Sequence, residues 1–230
     1  MHASGGVFAA DEPANPWFTW QYVQDNSGDL KNALVTHVEL THPDFDVTLL
    51  CQDAVDFHEN LYMRRIEAKN TATEPREVRL FFHQDFYISS NEIGDTAYYE
   101  PERRAVYHYK GARWFLINAA TPGKRSEDAD DTAEGWHIGV DQWACGHKGV
   151  NALLGTWKDA EDGVLSGNPI AQGSVDSTVG VHLSVPPNAS RVAYYWIAVG
   201  KDFDDVTRLN RVVRRRGPAT FVHRTAAYPI

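Results

Sequence analysis

Val35-Thr-His-Val-Glu-Leu-Thr41 and Asp46-Val-Thr-Leu-Leu-Cys-Gln-Asp53, separated by His42-Pro-Asp-Phe45, decide the fold class. Apolar and polar residues alternate through both runs and Pro-Asp favours a turn, so the pair reads as two antiparallel strands. Leu61-Tyr-Met-Arg-Arg-Ile-Glu-Ala-Lys69 and Glu77-Val-Arg-Leu-Phe-Phe-His83 flank the polar Asn70-Thr-Ala-Thr-Glu-Pro75 and read as a second hairpin. Further runs at similar spacing are Thr96-Ala-Tyr-Tyr99, Ala105-Val-Tyr-His-Tyr109, Trp114-Phe-Leu-Ile-Asn118, Thr178-Val-Gly-Val-His-Leu-Ser-Val185 and Val192-Ala-Tyr-Tyr-Trp-Ile-Ala-Val199. Their β-branched and aromatic side chains suit a pleated, half-buried surface, and short strands divided by turns indicate a sandwich or barrel.

Two regions depart from this rhythm. Residues 119–177 are rich in Gly, Asp and Glu, and read as long loops with a short helix or two. After the final strand, Asp202-Phe-Asp-Asp-Val-Thr-Arg-Leu-Asn-Arg-Val-Val-Arg-Arg-Arg-Gly217-Pro218 carries acids in its first turn and arginines in its last. Phe203, Val206, Leu209 and Val213 form one stripe, and Gly-Pro supplies a stop, so this is an amphipathic helix.

The chain of 230 residues is long enough for one large all-β unit. A chain of this size buries roughly 70 to 75% of its unfolded surface, so its core needs no staples. Accordingly Cys51, in an apolar strand, and Cys145 read as free, buried thiols in preference to a disulfide, although nothing in the sequence says whether the two meet. A net charge of −9 without an aromatic-interleaved basic stripe excludes a nucleic-acid partner. No apolar run is long enough to span a membrane, so no membrane partner is expected. Met1-His-Ala-Ser-Gly-Gly6 lacks the charged start and apolar stretch of a secretory signal, which points to the cytoplasm.

Gly155-Thr-Trp-Lys-Asp-Ala-Glu-Asp-Gly-Val-Leu-Ser-Gly-Asn-Pro-Ile-Ala-Gln-Gly-Ser-Val-Asp-Ser177 is too irregular to follow from any periodicity. With Asp53-Ala-Val-Asp-Phe-His58, Arg76-Glu-Val-Arg-Leu-Phe-Phe-His-Gln-Asp-Phe86 and Gly94-Asp-Thr-Ala-Tyr-Tyr-Glu-Pro101, it resembles the N-terminal domain of bacterial and archaeal glucoamylases and glucodextranases of glycoside hydrolase family 15. The resemblance covers residues 33–228. It implies an all-β antiparallel super-sandwich of the galactose-mutarotase-like type with one C-terminal amphipathic helix. Residues 1–200 would form the sandwich, and 201–230 the helix and the start of a linker. The implied partner is an (α/α)6 catalytic barrel on which this domain packs, and α-glucans or α-glucosides are the implied substrates. The family's two catalytic carboxyls lie on barrel loops, so no catalytic residue and no cofactor are expected within this chain. Ile230 falls where the family continues into its linker, and a surface meant for a barrel would favour homodimers of the isolated chain.

Asp53, Asp56, Glu59, Asp85, Glu92 and Asp95 supply carboxyl groups, but abundance does not make a catalytic pair. His58 and His83 sit near acids, yet no tight His-x-x-x-His pair marks zinc, and no metal site is expected. Glu127-Asp-Ala-Asp-Asp131 lacks the alternation of a calcium loop and reads as a solvated acidic stretch. There is no Gly-x-Ser-x-Gly elbow and no phosphate-cradling glycine motif. The aromatics remain. Tyr194, Tyr195 and Trp196 read as core, whereas Tyr98, Tyr99, Trp136, Trp143 and Trp157 are candidates for contact with a sugar or a partner domain. An autonomous carbohydrate-binding module is the rival reading, and a mutarotase-like epimerase rests on fold analogy alone.

Overall fold

The hairpin that opens the sequence forms as expected: β4 (Val38–His42) pairs with β5 (Val47–Val55), with Val38 opposite Cys51. The computed structural model describes residues 6–7, 18–19, 21–24, 34–42, 45–91, 93–123, 135–148 and 155–227. Before the hairpin lie β1 (Gly6–Val7), β2 (Phe18–Thr19) and β3 (Gln21–Gln24), of which β3 pairs with β4. After it come β6 (Leu61–Asn70), β7 (Arg76–Gln84), β8 (Asp95–Glu100), β9 (Ala105–Lys110), β10 (Arg113–Pro122), β11 (Trp136–Ile138), β12 (Gln142–His147), β13 (Ile170–Gly173), β14 (Val175–Val185) and β15 (Ala189–Gly200).

Among the described residues, ten strands form one antiparallel sheet in the order β13-β8-β9-β10-β15-β6-β5-β4-β3, with β11 on the end of β10. A smaller sheet, β12-β14-β7, lies over one face of it. The period of two sorts side chains between the faces. On β15, Ala193, Tyr195 and Ile197 turn toward the small sheet, while Tyr194, Trp196 and Ala198 turn away. Ile117 and Ala119 on β10 face the small sheet, and Leu116 and Ala120 face the other way. The central strands are therefore buried on both sides, which is why their text is so rich in aliphatic and aromatic residues.

The second face is covered by helices. In α1 (Phe203–Arg216), the Asp202 carboxylate accepts the Asp205 N–H at 2.8 Å as the N-cap, and Val206, Leu209 and Val213 are buried. Each such aliphatic side chain contributes about 1.5–3 kcal/mol on burial. Asn210, also buried, accepts from Trp196 Nε1 at 3.1 Å and Asn118 Nδ2 at 3.3 Å, which fixes the helix's rotation on the sheet. Besides the expected helix there is a second, α2 (Ala219–Ala226), which starts behind Pro218 and buries Phe221 and Val222. The stop at Gly217, φ +78°, is thus a corner between two helices. The all-β super-sandwich read from the sequence is the architecture of this chain.

Two local expectations are corrected. β6 and β7 are not a hairpin, because β6 pairs with β5 and β15 whereas β7 pairs with β14 in the other sheet. The 70–75 turn instead carries the chain across the sandwich. Buried Asn70 holds it there, donating to Glu74 O, Val185 O and Pro186 O and accepting the Ala72 N–H. The second correction concerns 119–177, where β10 continues to Pro122, β11, β12 and β13 are short strands, and Lys158–Asp162 forms a 3-10 turn. These strands are polar or glycine-bearing and lie at sheet edges, so they carry little alternation.

Candidate functional site

The five candidate aromatics fall on both sides of the large sheet, and all are half-buried. Tyr98 lies on the helix side, stacked on Tyr107 at 5.1 Å and edge-on to Tyr109 at 6.1 Å. Tyr99 faces the opposite way and stacks on Trp143 at 3.6 Å with the planes 4° apart. Trp143 Nε1 donates to Gly167 O at 3.1 Å. Trp136 meets Tyr194 edge-on at 5.2 Å, and Trp157 lies under the Lys158 ammonium at 5.9 Å. Tyr99 and Trp143 are brought together; the other three are separate. Trp136 also lines an open hollow with Pro122, Gly123, Ser190 and Arg191.

The outer face of the small sheet carries the polar groups. Along β7, Val78, Leu80 and Phe82 enter the core, so Glu77, Arg79, Phe81 and His83 point outward. The 155–169 segment crosses this face, and Ala160 and Leu165 pack with Ala144 and Phe81 in a small apolar cluster of their own. Its fastener is Asp176, whose side chain is 2% exposed. Asp176 Oδ2 accepts the Thr156 N–H at 3.0 Å and lies 3.0 Å from His83 Nε2. Thr156 and Thr178 hydroxyls meet at 3.0 Å. Gly155 has no substitute here, since a Cβ would sit 2.2 Å from Asp176 Oδ2. Asn168 Nδ2 donates to Cys145 O, and Gln142 Oε1 accepts the Leu165 N–H at 2.8 Å. Such side-chain bonds satisfy backbone groups that no strand pairs.

The next residue, Ser177, points inward and joins a buried chain. Its hydroxyl donates to Gln84 Oε1 at 2.9 Å and lies 2.7 Å from His108 Nε2, while Gln84 Nε2 donates to the Tyr195 hydroxyl at 3.0 Å. Burial pushes His108 down to about 3, so the ring is neutral, and with the Ser177 hydrogen given to Gln84 the ring proton sits on Nε2. The chain links the two sheets and holds no exposed group.

A cleft of about 530 Å3 opens beyond the other end of this face, lined by Arg79, Thr121, Pro122, Gly123, His137, Asp141, Gln142, Val164 and His182. Arg79 and His182 are cross-strand partners on β7 and β14. The β10–β11 ladder forms a wall and turns His137 into the cleft while Trp136 faces the opposite side. Asp141 is fully engaged: Oδ2 accepts the His182 N–H at 2.9 Å, and Oδ1 accepts from Arg104 at 3.3 Å. Arg104 also reaches His137 Nε2 at 2.5 Å. An arginine can only donate, so Nε2 is the acceptor and His137 is neutral; burial first, and the Arg104 charge second, hold its pKa below the ordinary value. His182 is paired with Glu77. These residues come from five separate segments, and apart from general hydrophilicity no sequence signal groups them.

The candidate acids are structural in their surroundings. Asp53 takes Arg64 through two bonds of 2.5 and 2.9 Å and the Tyr62 hydroxyl at 2.9 Å. Asp56 takes Arg224 of α2 at 2.6 and 2.5 Å, Glu59 lies 3.6 Å from Arg208, Asp85 pairs with Lys148 and Asp95 with Lys110. Glu92 and the Glu127–Asp131 stretch lie outside the described residues. Among the described residues, no three His, Cys, Asp or Glu side chains converge as a metal site. Cys51 and Cys145 are free and buried, and burial raises them to about 11 and about 12. No helix among the described residues is long and apolar enough to cross a membrane.

No family model and no curated protein matches the sequence. Solved structures do resemble the fold. A bacterial glucoamylase complexed with acarbose superposes with a TM-score of 0.63 at 8% identity, over 90% of this chain and 28% of that one. The Slr1438 protein from Synechocystis gives 0.43 at 9% identity over 80% of this chain and 66% of that one. The family GH92 inverting mannosidase from Bacteroides thetaiotaomicron gives 0.39 at 9% identity over 83% of this chain and 21% of that one. The glucoamylase superposition is the one that bears on the fold. It shows that this chain has the architecture of a part, 28%, of a glycoside hydrolase chain.

Proposed function

We propose that the chain is an accessory β-sandwich domain of a glucoamylase-like glycoside hydrolase, packing on and stabilising an (α/α)6 barrel that cleaves α-glucosides. The observation that carries this reading is the superposition itself: 90% of this chain corresponds to 28% of a glucoamylase. The internal chemistry agrees. Glycoside hydrolysis needs two carboxyl groups placed to flank the scissile bond. Here Asp53, Asp56, Asp85 and Asp95 are each tied to a basic side chain.

The test has two arms. The purified chain, incubated with maltose, isomaltose and starch, should release no glucose; release that one Asp or Glu substitution abolishes overturns the reading. The protein isolated from its source cells should carry a glucose-releasing barrel, covalently or in a stable complex. Saturable binding of maltooligosaccharides to the chain alone, lost in Trp136→Ala, would instead make it an autonomous carbohydrate-binding module.

A further inference from the structure

We propose that the cleft lined by Arg79, His137, Asp141 and His182 binds a small ligand bearing one carboxylate or phosphate group, with Arg79 as the residue that takes the oxyanion. The argument is one of charge accounting around the cleft. Arg104 is paired with Asp141, and the His182 ring lies against the Glu77 carboxylate. His137 is held neutral, its Nε2 facing the Arg104 guanidinium. Arg79 is left over. Among the described residues no carboxylate pairs with it, and its one hydrogen bond, 2.9 Å, goes to the carbonyl oxygen of Gly163.

That bond matters for the geometry. It fixes one nitrogen of a planar five-donor fork and aims the group, leaving the other donors for a ligand. The second amide nearby, Gln142, is spent on Gly163 O and the Leu165 N–H, so it does not compete. The cleft volume of about 530 Å3 suits a molecule of monosaccharide size. In a chain of net charge −9, a guanidinium in a concave site with no carboxylate in contact among the described residues is the group there that would take an anion. This binding is independent of the packing role above.

The test is calorimetric titration of the whole chain with inorganic phosphate, glucose 6-phosphate, glucuronate and glucose at low salt. At least one anion should bind with a submillimolar Kd, and glucose should not; the pattern among the anions separates free phosphate, sugar phosphate and sugar acid. Raising the salt should weaken binding. Arg79→Gln should lower the affinity about tenfold or more, and Arg79→Lys less, since the charge remains and the fork is lost. Because Arg79 is exposed, both variants should melt with the wild type. Binding of every probe weaker than 10 mM in order of magnitude, equal binding of glucose, or an Arg79→Gln variant that binds like wild type would overturn the proposal.

Discussion

Replacing Arg224 by Met should loosen the C-terminal helices from the sheet. The Asp56 side chain is 1% exposed and Arg224 20%, and two bonds of 2.6 and 2.5 Å join them across 168 residues of sequence. Removing one partner of a buried pair costs about 3–5 kcal/mol. Two facts lower the figure here. Asp56 keeps the His58 and Glu59 N–H groups at 2.9 and 2.8 Å, and methionine preserves the aliphatic stem above Phe221. The expected loss is therefore about 2–3 kcal/mol at neutral pH. Burial alone would raise the Asp56 pKa, but Arg224 and the two N–H groups outweigh it and hold the carboxyl below its ordinary 3.8. A depressed folded-state pKa gives stability that is present above the unfolded value and is lost as pH falls through the folded one. The gap between wild type and variant should accordingly be full at pH 7 and shrink below about pH 4. Urea unfolding followed by tryptophan fluorescence measures both. A difference below about 0.5 kcal/mol at pH 7, or one that persists unchanged at pH 2–3, refutes the clasp.

Gly155→Ala forces a Cβ against Asp176 Oδ2 and should cost about 1–3 kcal/mol in the same assay; a neutral effect would mean that Asp176 does not hold the loop. Trp157→Ala should cost about 1–2 kcal/mol, less than a fully buried tryptophan, and an unchanged stability would assign the ring to a partner. Amide exchange should show protection at Thr156, Leu165 and Gly167, whose N–H groups are bonded to Asp176, Gln142 and Trp143; rapid exchange at all three would show that the segment orders only on a partner. Cys51 and Cys145, with pKa raised to about 11 and about 12, should resist a thiol reagent at pH 8 until the chain is unfolded, and fast native labelling of either would contradict their burial.

What the sequence determined by itself was local. Alternation fixed which residues are strands and which faces of them are apolar, because the period of two is a property of the extended chain. Asp202 at the N-cap, the stripe through Val206, Leu209 and Val213 and the stop at Gly217 likewise marked α1, since capping and amphipathicity are read within a few turns. Partner choice was not legible. Glu77–His83 looks as fit to pair with β6 as with β14, and the side-chain bonds of Asn70 to Val185 O and Pro186 O, far away in sequence, go with the crossing to the other sheet. The 155–169 segment carries too few apolar residues for any periodicity, and its order comes from Asp176, Gln142 and Cys145 on strands that it reaches only in three dimensions. The cleft is the extreme case. Arg79, His137, Asp141 and His182 are unremarkable surface residues in the text, and only strand register sets Arg79 beside His182 and gives Asp141 to Arg104, leaving Arg79 bonded to the Gly163 carbonyl.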